Sequence, residues 1–315
     1  MDTVQKTDSY VMNTYARKRV CFAKGSGCRL WDENGKEYLD FLAGIAVCGL
    51  GHCHPDVTRA LSAQAETLVH VSNLFYTRPA SDLAQKLCEN SFADKVFFSN
   101  SGAEANEAAI KLARRYFQKK GETGRTRIIT MKQSFHGRTM ATLSATGQEK
   151  IKQGFEPVLP GFVHVPFNDM DALEKEMGDD VCAVMLEPVQ GEGGVIPAGP
   201  GYLEAVRKLC DEKGALLIFD EVQTGMGRCG RLFAHQAYNV TPDIMTLAKS
   251  LGNGLPIGAM LASNRAAEGF DKGSHASTFG GTPLVAAAAL AVLDIVADES
   301  FLAGVRKTGG YLKEK

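Results

Sequence analysis

Three short stretches of the 315-residue chain place polar side chains directly after apolar runs. The first is Ser101-Gly102-Ala103, which follows KVFFSN and precedes a helical pattern. A glycine at such a turn lets the backbone approach a ligand, and the first N–H groups of a helix are unpaired and lie at the positive end of its dipole. These residues predict a phosphate site, with the Ser101 hydroxyl as a further donor, although a plainly capped helix explains them equally well.

Asp220 and Lys249 belong to the second and third stretches. Asp220 ends the run ALLIFD, and ligands of parallel sheets bind beyond the carboxyl ends of the strands. Lys249 follows DIMTLA and precedes SLGNGLPIG, where burial would lower the pKa of its amine and free it for Schiff-base formation. Taken singly, a structural ion pair for the aspartate and a solvated loop position for the lysine are the simpler explanations.

Together the three stretches match the requirements of one cofactor, pyridoxal 5'-phosphate. This cofactor needs a phosphate site, an acid beside its pyridine nitrogen and a lysine for its aldehyde. The acid keeps the nitrogen protonated, so that the ring can accept electrons from the substrate carbon. Gly102, Asp220 and Lys249 follow one another in that order, and we therefore predict a pyridoxal-phosphate enzyme that uses no metal.

An α/β fold is the framework that would bring these residues together. Nearly continuous apolar runs, typical of strands buried on both faces, are KVFFSN, TRIITM, FVHVPF, VCAVMLEP, ALLIFDE and DIMTLA. Helical patterns lie between many of them, among them residues 103–118, and this alternation predicts a largely parallel sheet. Nearer the N-terminus, CRLWDENGKEYLDF predicts a hairpin that turns at Asn34-Gly35.

The composition of the chain limits which binding partners and which cellular compartment we expect. The net charge of −1, from 35 basic and 36 acidic residues, predicts neither a nucleic-acid partner nor an anionic membrane partner. No apolar run reaches membrane-spanning length. The eight cysteines include no CxxC pair and no signal peptide is recognisable, so we expect reduced thiols and a cytoplasmic protein.

Several long motifs resemble those of the class III (subgroup II) aminotransferases. They are FLAGIAVCGLGHCHP, SNLFYTRPASDLAQKL, FFSNSGAEANEAAIKLARRY, SFHGRT, LEPVQGEGGV, LLIFDEVQTGMGRCG, TLAKSLGNGLPIGA and STFGGTPL. They follow one another along the chain in the family's order. The resemblance implies fold type I of the pyridoxal-phosphate-dependent transferases, with a large domain around a mostly parallel sheet and a smaller second domain.

The same resemblance implies a division of the chain. Residues 1–50 would form the N-terminal segment of the small domain, and residues 51–280 the large cofactor-binding α/β domain. Residues 281–315 would begin the connection to a C-terminal segment, and we expect the chain to be truncated there.

The resemblance also implies roles for residues around the cofactor. Gly102 and Ala103 would bind its phosphate, and Phe135 would stack on its pyridine ring. Thr278 would bind the phosphate of a neighbouring subunit's cofactor, which implies a homodimer.

Three further residues would act on the cofactor's ring and aldehyde. Asp220 would pair with the ring nitrogen, and Gln223 would reach the phenolic oxygen. Lys249 would anchor the aldehyde and then move the proton between substrate carbon and cofactor.

The resemblance places substrate contacts as well. Arg138 would hold the substrate α-carboxylate bidentately, a geometry suited to its planar guanidinium. Glu192 would pair with a second arginine from the C-terminal segment, and Ser277 would lie near the substrate. Ile45 stands where ornithine δ-transaminases carry a tyrosine, and an apolar residue lining the pocket there would favour an acylated amine.

The activity that the resemblance implies is transamination between N2-acetyl-L-ornithine and 2-oxoglutarate, which gives N-acetyl-L-glutamate 5-semialdehyde and L-glutamate in arginine biosynthesis. Ornithine, succinylornithine and 4-aminobutyrate are alternative donors within the family. A pyridoxal enzyme of the same fold that isomerises or decarboxylates is a second alternative. An inactive, truncated homologue that only dimerises is a third.

Two other patterns have simpler explanations than ligand binding. Gly225 to Gly230 matches GxGxxG, but a dinucleotide site needs a helix that opens at these glycines, and RLFAHQAYNVTPD soon reaches Pro242. His52-Cys53-His54 lacks a second ligand pair at zinc-like spacing and is better explained as a turn between Gly51 and Pro55.

Overall fold

A seven-stranded sheet forms the centre of the computed structural model, which describes residues 1–315. The strands are β1 (Phe22–Ser26), β2 (Arg29–Asp32), β3 (Glu37–Leu39), β4 (Lys95–Ser99), β5 (Arg127–Met131), β6 (Phe162–Val165), β7 (Val181–Leu186), β8 (Val189–Gln190), β9 (Ile196–Pro197), β10 (Leu216–Asp220), β11 (Ile244–Leu247) and β12 (Gly258–Ala262).

Most of the helices pack on the two faces of this sheet. The helices are α1 (Thr3–Tyr10), α2 (Ala43–Ala46), α3 (Pro55–Thr67), α4 (Arg78–Glu89), α5 (Gly102–Lys119), α6 (Met140–Ala145), α7 (Met170–Glu176), α8 (Tyr202–Lys213), α9 (Ala234–Tyr238), α10 (Asn264–Ala267), α11 (Pro283–Val296) and α12 (Glu299–Glu314). Two single-turn 3₁₀-helices span Glu149–Ile151 and Lys249–Leu251.

The strands of the central sheet follow the order β4-β12-β11-β10-β7-β5-β6. Only β12 runs antiparallel to its neighbours β4 and β11. The other six strands therefore point the same way, and their carboxyl ends lie along one edge of the sheet. The predicted α/β fold with a mostly parallel sheet is confirmed.

Both faces of the sheet are covered, which explains the continuous apolar runs. In β10, Leu216 and Ile218 pack in the core beneath α5, whereas Leu217 and Phe219 pack in the core beneath α8. A third core joins α11 to β11 and β12. All six predicted strands are present, and the predicted helix 103–118 corresponds to α5.

A separate three-stranded antiparallel sheet, β1-β2-β3, lies in the N-terminal part. The predicted hairpin corresponds to β2 and β3, and Gly35 between them has a φ of 80°, which glycine adopts without strain. No helix of the structure is long and apolar enough to cross a membrane.

Candidate active site

A cavity of about 470 Å³ opens at the carboxyl ends of the parallel strands. Nine of the residues singled out in the sequence line it, namely Ser101, Gly102, Ala103, Phe135, Arg138, Glu192, Asp220, Gln223 and Lys249. The sheet brings them together because β4, β5, β7, β10 and β11 end along the same edge.

The N-terminus of α5 forms one wall of the cavity. Ser101 is its N-cap, and its hydroxyl oxygen accepts a hydrogen bond of 3.2 Å from the Glu104 N–H. A Cβ atom on Gly102 would lie 2.7 Å from Cγ1 of Val222, so this position excludes a side chain. The first N–H groups of a helix this long have no intrahelical partner and attract anions.

Asp220 is buried at the end of β10 and is held by three hydrogen bonds. Its Oδ2 atom accepts from Nδ2 of Asn106 and lies next to Nδ1 of His136, both at 2.8 Å. Its Oδ1 atom accepts from the Val222 N–H at 3.0 Å. These contacts fix the carboxylate in one orientation.

His136 and Asn106 connect Asp220 to the surrounding strands and loops. Burial opposes protonation of His136, but the hydrogen bond to Asp220 and the carboxylate charge outweigh it and raise the pKa of the imidazole. Its Nε2 atom is buried without a partner. Asn106 Oδ1 accepts a hydrogen bond of 2.7 Å from the Thr246 hydroxyl, which ties α5 to β11.

Lys249 lies half-buried in the turn that follows β11. Its φ of 43° is in the left-handed region, a strained backbone conformation for a lysine and one that is concentrated at functional sites. Burial lowers the pKa of its amine, while the charges of Asp220, Glu192 and Glu187 partly oppose that shift. A lowered pKa increases the neutral, nucleophilic fraction of the amine.

Glu187 follows β7 and also lines the cavity. Its Oε2 atom accepts from the Phe135 N–H at 3.1 Å, and its Oε1 atom from the Gly191 N–H at 3.2 Å. Burial raises the pKa of this carboxyl group to about 7; the charge of His136 opposes the shift and that of Asp220 adds to it.

Arg138 and Glu192 are the exposed charges of the cavity. Neither side chain forms an ion pair in the structure. The Arg138 guanidinium carbon lies 5.7 Å from the ring centroid of Phe135. Gln223 packs so closely on Gly191 that a Cβ atom there would lie 2.2 Å from Oε1 of Gln223.

Ser277 and Thr278 do not line this cavity. Ser277 contacts its edge, because its Oγ atom accepts a hydrogen bond of 3.4 Å from Nδ2 of the lining residue Asn100. Thr278 lines a second, surface cavity of about 230 Å³ together with His70 and Tyr76.

Ile45 does not line the cavity either, whereas Val47, two residues later, does. The backbone explains the difference from the expectation, since Ala43, Gly44, Ile45 and Ala46 all have φ between 49° and 67°. The short element α2 is therefore a left-handed turn and not a right-handed helix, and it leaves Ile45 54% exposed.

Sequence reasoning missed Asn106, His136 and Glu187. Glu187 could have been found by the pattern that identified Asp220, since both are carboxylates that follow a buried apolar run. Asn106 and His136 carried none, because they become part of the site only through a tertiary contact with Asp220.

The two patterns set aside in the sequence have structural roles. His52 Nε2 lies 2.7 Å from Oδ2 of Asp40, and His54 precedes α3. Residues 225–230 form consecutive turns ahead of α9 and open no helix.

Comparison with known proteins identifies related sequences over almost the whole chain. Residues 10–315 match the family model described as aminotransferase class-III. A protein named acetylornithine aminotransferase from Caldanaerobacter subterraneus is 56% identical over 305 residues, covering 97% of this chain and 77% of that protein. A protein of the same name from Bacillus cereus is 51% identical over 307 residues, covering 98% of this chain and 78% of that protein.

Solved structures show the same fold. An N-acetylornithine aminotransferase from Stenotrophomonas maltophilia superimposes with a TM-score of 0.84 and 44% identity, covering 99% of this chain and 76% of that one. An ornithine aminotransferase from Toxoplasma gondii superimposes with a TM-score of 0.91 and 39% identity. The match covers 95% of this chain and 72% of that one. The chain thus spans about three quarters of the length of these relatives.

Proposed function

Because the chain belongs to the class III aminotransferase family, we propose that it transfers the amino group of N2-acetyl-L-ornithine to 2-oxoglutarate. The products would be N-acetyl-L-glutamate 5-semialdehyde and L-glutamate, in arginine biosynthesis. The observation that carries this proposal is 51–56% identity, over nearly the whole chain, to proteins named acetylornithine aminotransferase.

The cavity fits pyridoxal 5'-phosphate, the cofactor of this family. A helix N-terminus that excludes a side chain at Gly102 suits the phosphate, with the Ser101 hydroxyl and the Ala103 backbone beside it. The half-buried Lys249 suits the aldehyde, and the fixed Asp220 carboxylate suits a protonated ring nitrogen. We propose Phe135 as the residue that stacks on the ring and Gln223 as the partner of its phenolic oxygen.

When bound, the cofactor supplies an electron-accepting ring to the substrate's amino carbon. Asp220 would hold a proton at the ring nitrogen, because His136 and Asn106 keep its Oδ2 atom in place. Lys249 would carry the proton that leaves the substrate carbon, since burial lowers the pKa of its Nζ atom and gives it a neutral form that can accept one.

Arg138 is proposed to bind the substrate α-carboxylate, for which its guanidinium has no competing ion pair within the chain. A bidentate contact of this kind contributes about 1.5–3 kcal/mol per charged hydrogen bond. Glu192, on the facing loop, would act at the distal end of the substrate, and Ser277 would lie at the edge of the site near Asn100.

Replacement of Lys249 by alanine tests the cofactor assignment. We expect the parent holoenzyme to retain pyridoxal phosphate on Lys249 after borohydride reduction, as mapped by peptide mass spectrometry. The Lys249→Ala variant should lose this attachment and at least about 100-fold of its activity, because the proton carrier is removed. Lys208→Ala, which changes a lysine with a 78% exposed side chain, is the matched control. Reduction that labels another lysine would contradict the assignment.

The donor is tested by steady-state kinetics with N2-acetyl-L-ornithine, L-ornithine, succinylornithine and 4-aminobutyrate. We expect the highest kcat/KM for acetylornithine and a ping-pong pattern with 2-oxoglutarate, because one site serves both half-reactions. Faster turnover of free ornithine would replace the proposed donor, and a sequential pattern would reject the mechanism. Omission of 2-oxoglutarate should stop the reaction after one half-turnover, unlike in an isomerase or a decarboxylase.

A homodimer is the proposed assembly, with Thr278 of one subunit at the cofactor phosphate of the other. Support comes from the position of Thr278 outside its own subunit's main cavity, on a surface that also exposes large apolar side chains. The eight free cysteines support a cytoplasmic location, where thiols remain reduced.

We propose residues 1–50 as part of a small domain, residues 51–280 as the large domain and residues 281–315 as the start of a connection. This connection would begin with α11, which packs against β11 and β12 of the large domain.

A further inference from the structure

Glu187 joins two loops that approach the cavity from different strands. One loop, residues 132–139, follows β5 and carries Phe135 and Arg138. The other, residues 191–195, follows β8 and carries Glu192. The carboxylate of Glu187 accepts one N–H from each loop, from Phe135 at 3.1 Å and from Gly191 at 3.2 Å.

No lysine or arginine pairs with this carboxylate, whose residue is only 5% exposed. Burying a carboxylate is costly, and apart from the nearby charge of His136 the cost is compensated by hydrogen bonds to its oxygens. Here the compensating donors are the two loop N–H groups. Both oxygens are thus engaged with the backbone of the cavity wall.

Arg138 and Glu192 have no such anchor of their own. Both are exposed, and neither forms an ion pair. The separation between the two charged groups therefore depends on the backbone of their loops, and the carboxylate of Glu187 is a direct connection between those loops.

We infer that Glu187 is a positioning residue that holds the Phe135–Arg138 loop and the Gly191–Glu192 loop at a fixed separation, and so sets the fit of a substrate with a carboxylate at one end and a polar group at the other. The inference rests on the proposed role of Arg138 in binding a substrate carboxylate. It assigns Glu187 no contact with substrate.

The variant Glu187→Gln separates this role from simple filling of space. The amide has nearly the same shape, but it offers one acceptor oxygen and one NH₂ donor. One of the two loop N–H groups would then face a donor and lose its partner. A matched control is Glu221→Gln, because Glu221 is also buried and also accepts two backbone N–H groups, from Ala234 and His235, but does not line the cavity.

The experiment measures binding of glutarate to the holoenzyme by calorimetry. Glutarate has two carboxylates and neither an amine nor a keto group, so the readout is independent of turnover and of the identity of the amino donor. We expect the Kd to rise about tenfold in Glu187→Gln, as for the loss of one hydrogen bond in the support of a charged contact. We expect no change in Glu221→Gln.

Amide hydrogen exchange gives the second readout. Peptides covering residues 133–138 and 190–194 should exchange faster in Glu187→Gln, whereas Glu221→Gln should affect residues 233–236 instead. Unchanged exchange in both loops, or a glutarate Kd within twofold of the parent value, would overturn the inference. Absence of glutarate binding to the parent would overturn it too, because the loops would then hold no carboxylate site.

Failure of the inferred role of Glu187 can be distinguished from failure of the proposed function. A parent enzyme that binds glutarate but does not turn over acetylornithine would reject the proposed donor and leave the role of Glu187 to be decided by the variant. Turnover of acetylornithine with an unchanged KM for both substrates in Glu187→Gln would keep the function and reject the positioning role.

Discussion

Glu221, the residue after Asp220 in the sequence, has a buried carboxyl group with no cationic partner. Burial raises its pKa from an ordinary 4.5 to about 7, although hydrogen bonds from His235, Ala234 and Thr224 oppose the shift. The folded protein therefore holds this proton over a range in which the unfolded chain has lost it. The contribution of this proton to the stability of the folded state is complete below about pH 4.5 and is lost as the pH rises through 7.

We predict that Glu221→Gln removes this pH dependence. In the parent, the free energy of unfolding should fall by roughly 3 kcal/mol between pH 4.5 and 7 on account of Glu221, an order-of-magnitude figure from the size of the shift. Urea denaturation at several pH values measures it. A parent and a variant with equal slopes of stability against pH would contradict the prediction.

Single residues were predictable from the sequence where their position along the chain carried the information. Asp220 and Lys249 end buried apolar runs, and Gly102 precedes a helix, so their place at the sheet edge follows from the strand pattern. His136 and Asn106 could not be assigned in this way. Each acquires its role from a contact with Asp220, 84 and 114 residues away in sequence, which no local pattern encodes.

At the scale of elements, the start of α5 leaves no room for a side chain at Gly102. A Cβ atom on Gly102 would lie 2.7 Å and 2.9 Å from the two methyl groups of Val222. We predict that Gly102→Ala displaces the first turn of α5 and raises the Kd for pyridoxal phosphate about 10- to 100-fold, as for the loss of one charged hydrogen bond. Equilibrium dialysis of the cofactor measures this value.

Gly304→Ala is the control for that substitution. Gly304 lies inside α12, and a Cβ atom there would meet nothing within 4 Å. Alanine should stabilise the helix by about 0.5–1 kcal/mol and leave cofactor affinity unchanged. Equal cofactor affinity of Gly102→Ala and the parent would show that the helix start tolerates a side chain and does not hold the phosphate.

Strands buried on both faces were predictable because their apolar runs are continuous. β12 was not recognised, since its sequence GAMLA is short and rich in glycine and alanine. Its antiparallel direction also departs from the regular alternation of strand and helix on which the prediction relied. The left-handed turn at Ala43–Ala46 was equally hidden, because three of its four residues are not glycine.

At the scale of the whole molecule, large apolar side chains are exposed to water on the surface formed by residues 74–76 and 279. Leu74, Phe75 and Tyr76 are 85%, 68% and 102% exposed, and Phe279 is 58% exposed. The two segments are joined by Asn73, whose Nδ2 atom donates to the Ser277 carbonyl at 2.9 Å. Exposed apolar surface of this kind marks a site of association.

We predict that the double substitution Leu74→Ser, Tyr76→Ser weakens a homodimer by at least about 100-fold in Kd, because large apolar anchors dominate the energy of interfaces. Analytical ultracentrifugation over a range of concentrations measures it. Phe155→Ser, which replaces a 57% exposed residue in the bend after residues 152–154, should leave the oligomeric state unchanged. A monomeric parent, or equal dissociation of both variants, would contradict the proposed interface.

The antiparallel strand has a consequence for how the protein is made. β4, which leads into Ser101 and Gly102, is bonded to the sheet only through β12, whose residues emerge from the ribosome about 160 residues later. During synthesis β4 has no native partner, and its open edges are available to other nascent chains. The end of the cavity formed by Ser101 and Gly102 is therefore assembled late, and slow translation before residue 258 should favour aggregation over folding.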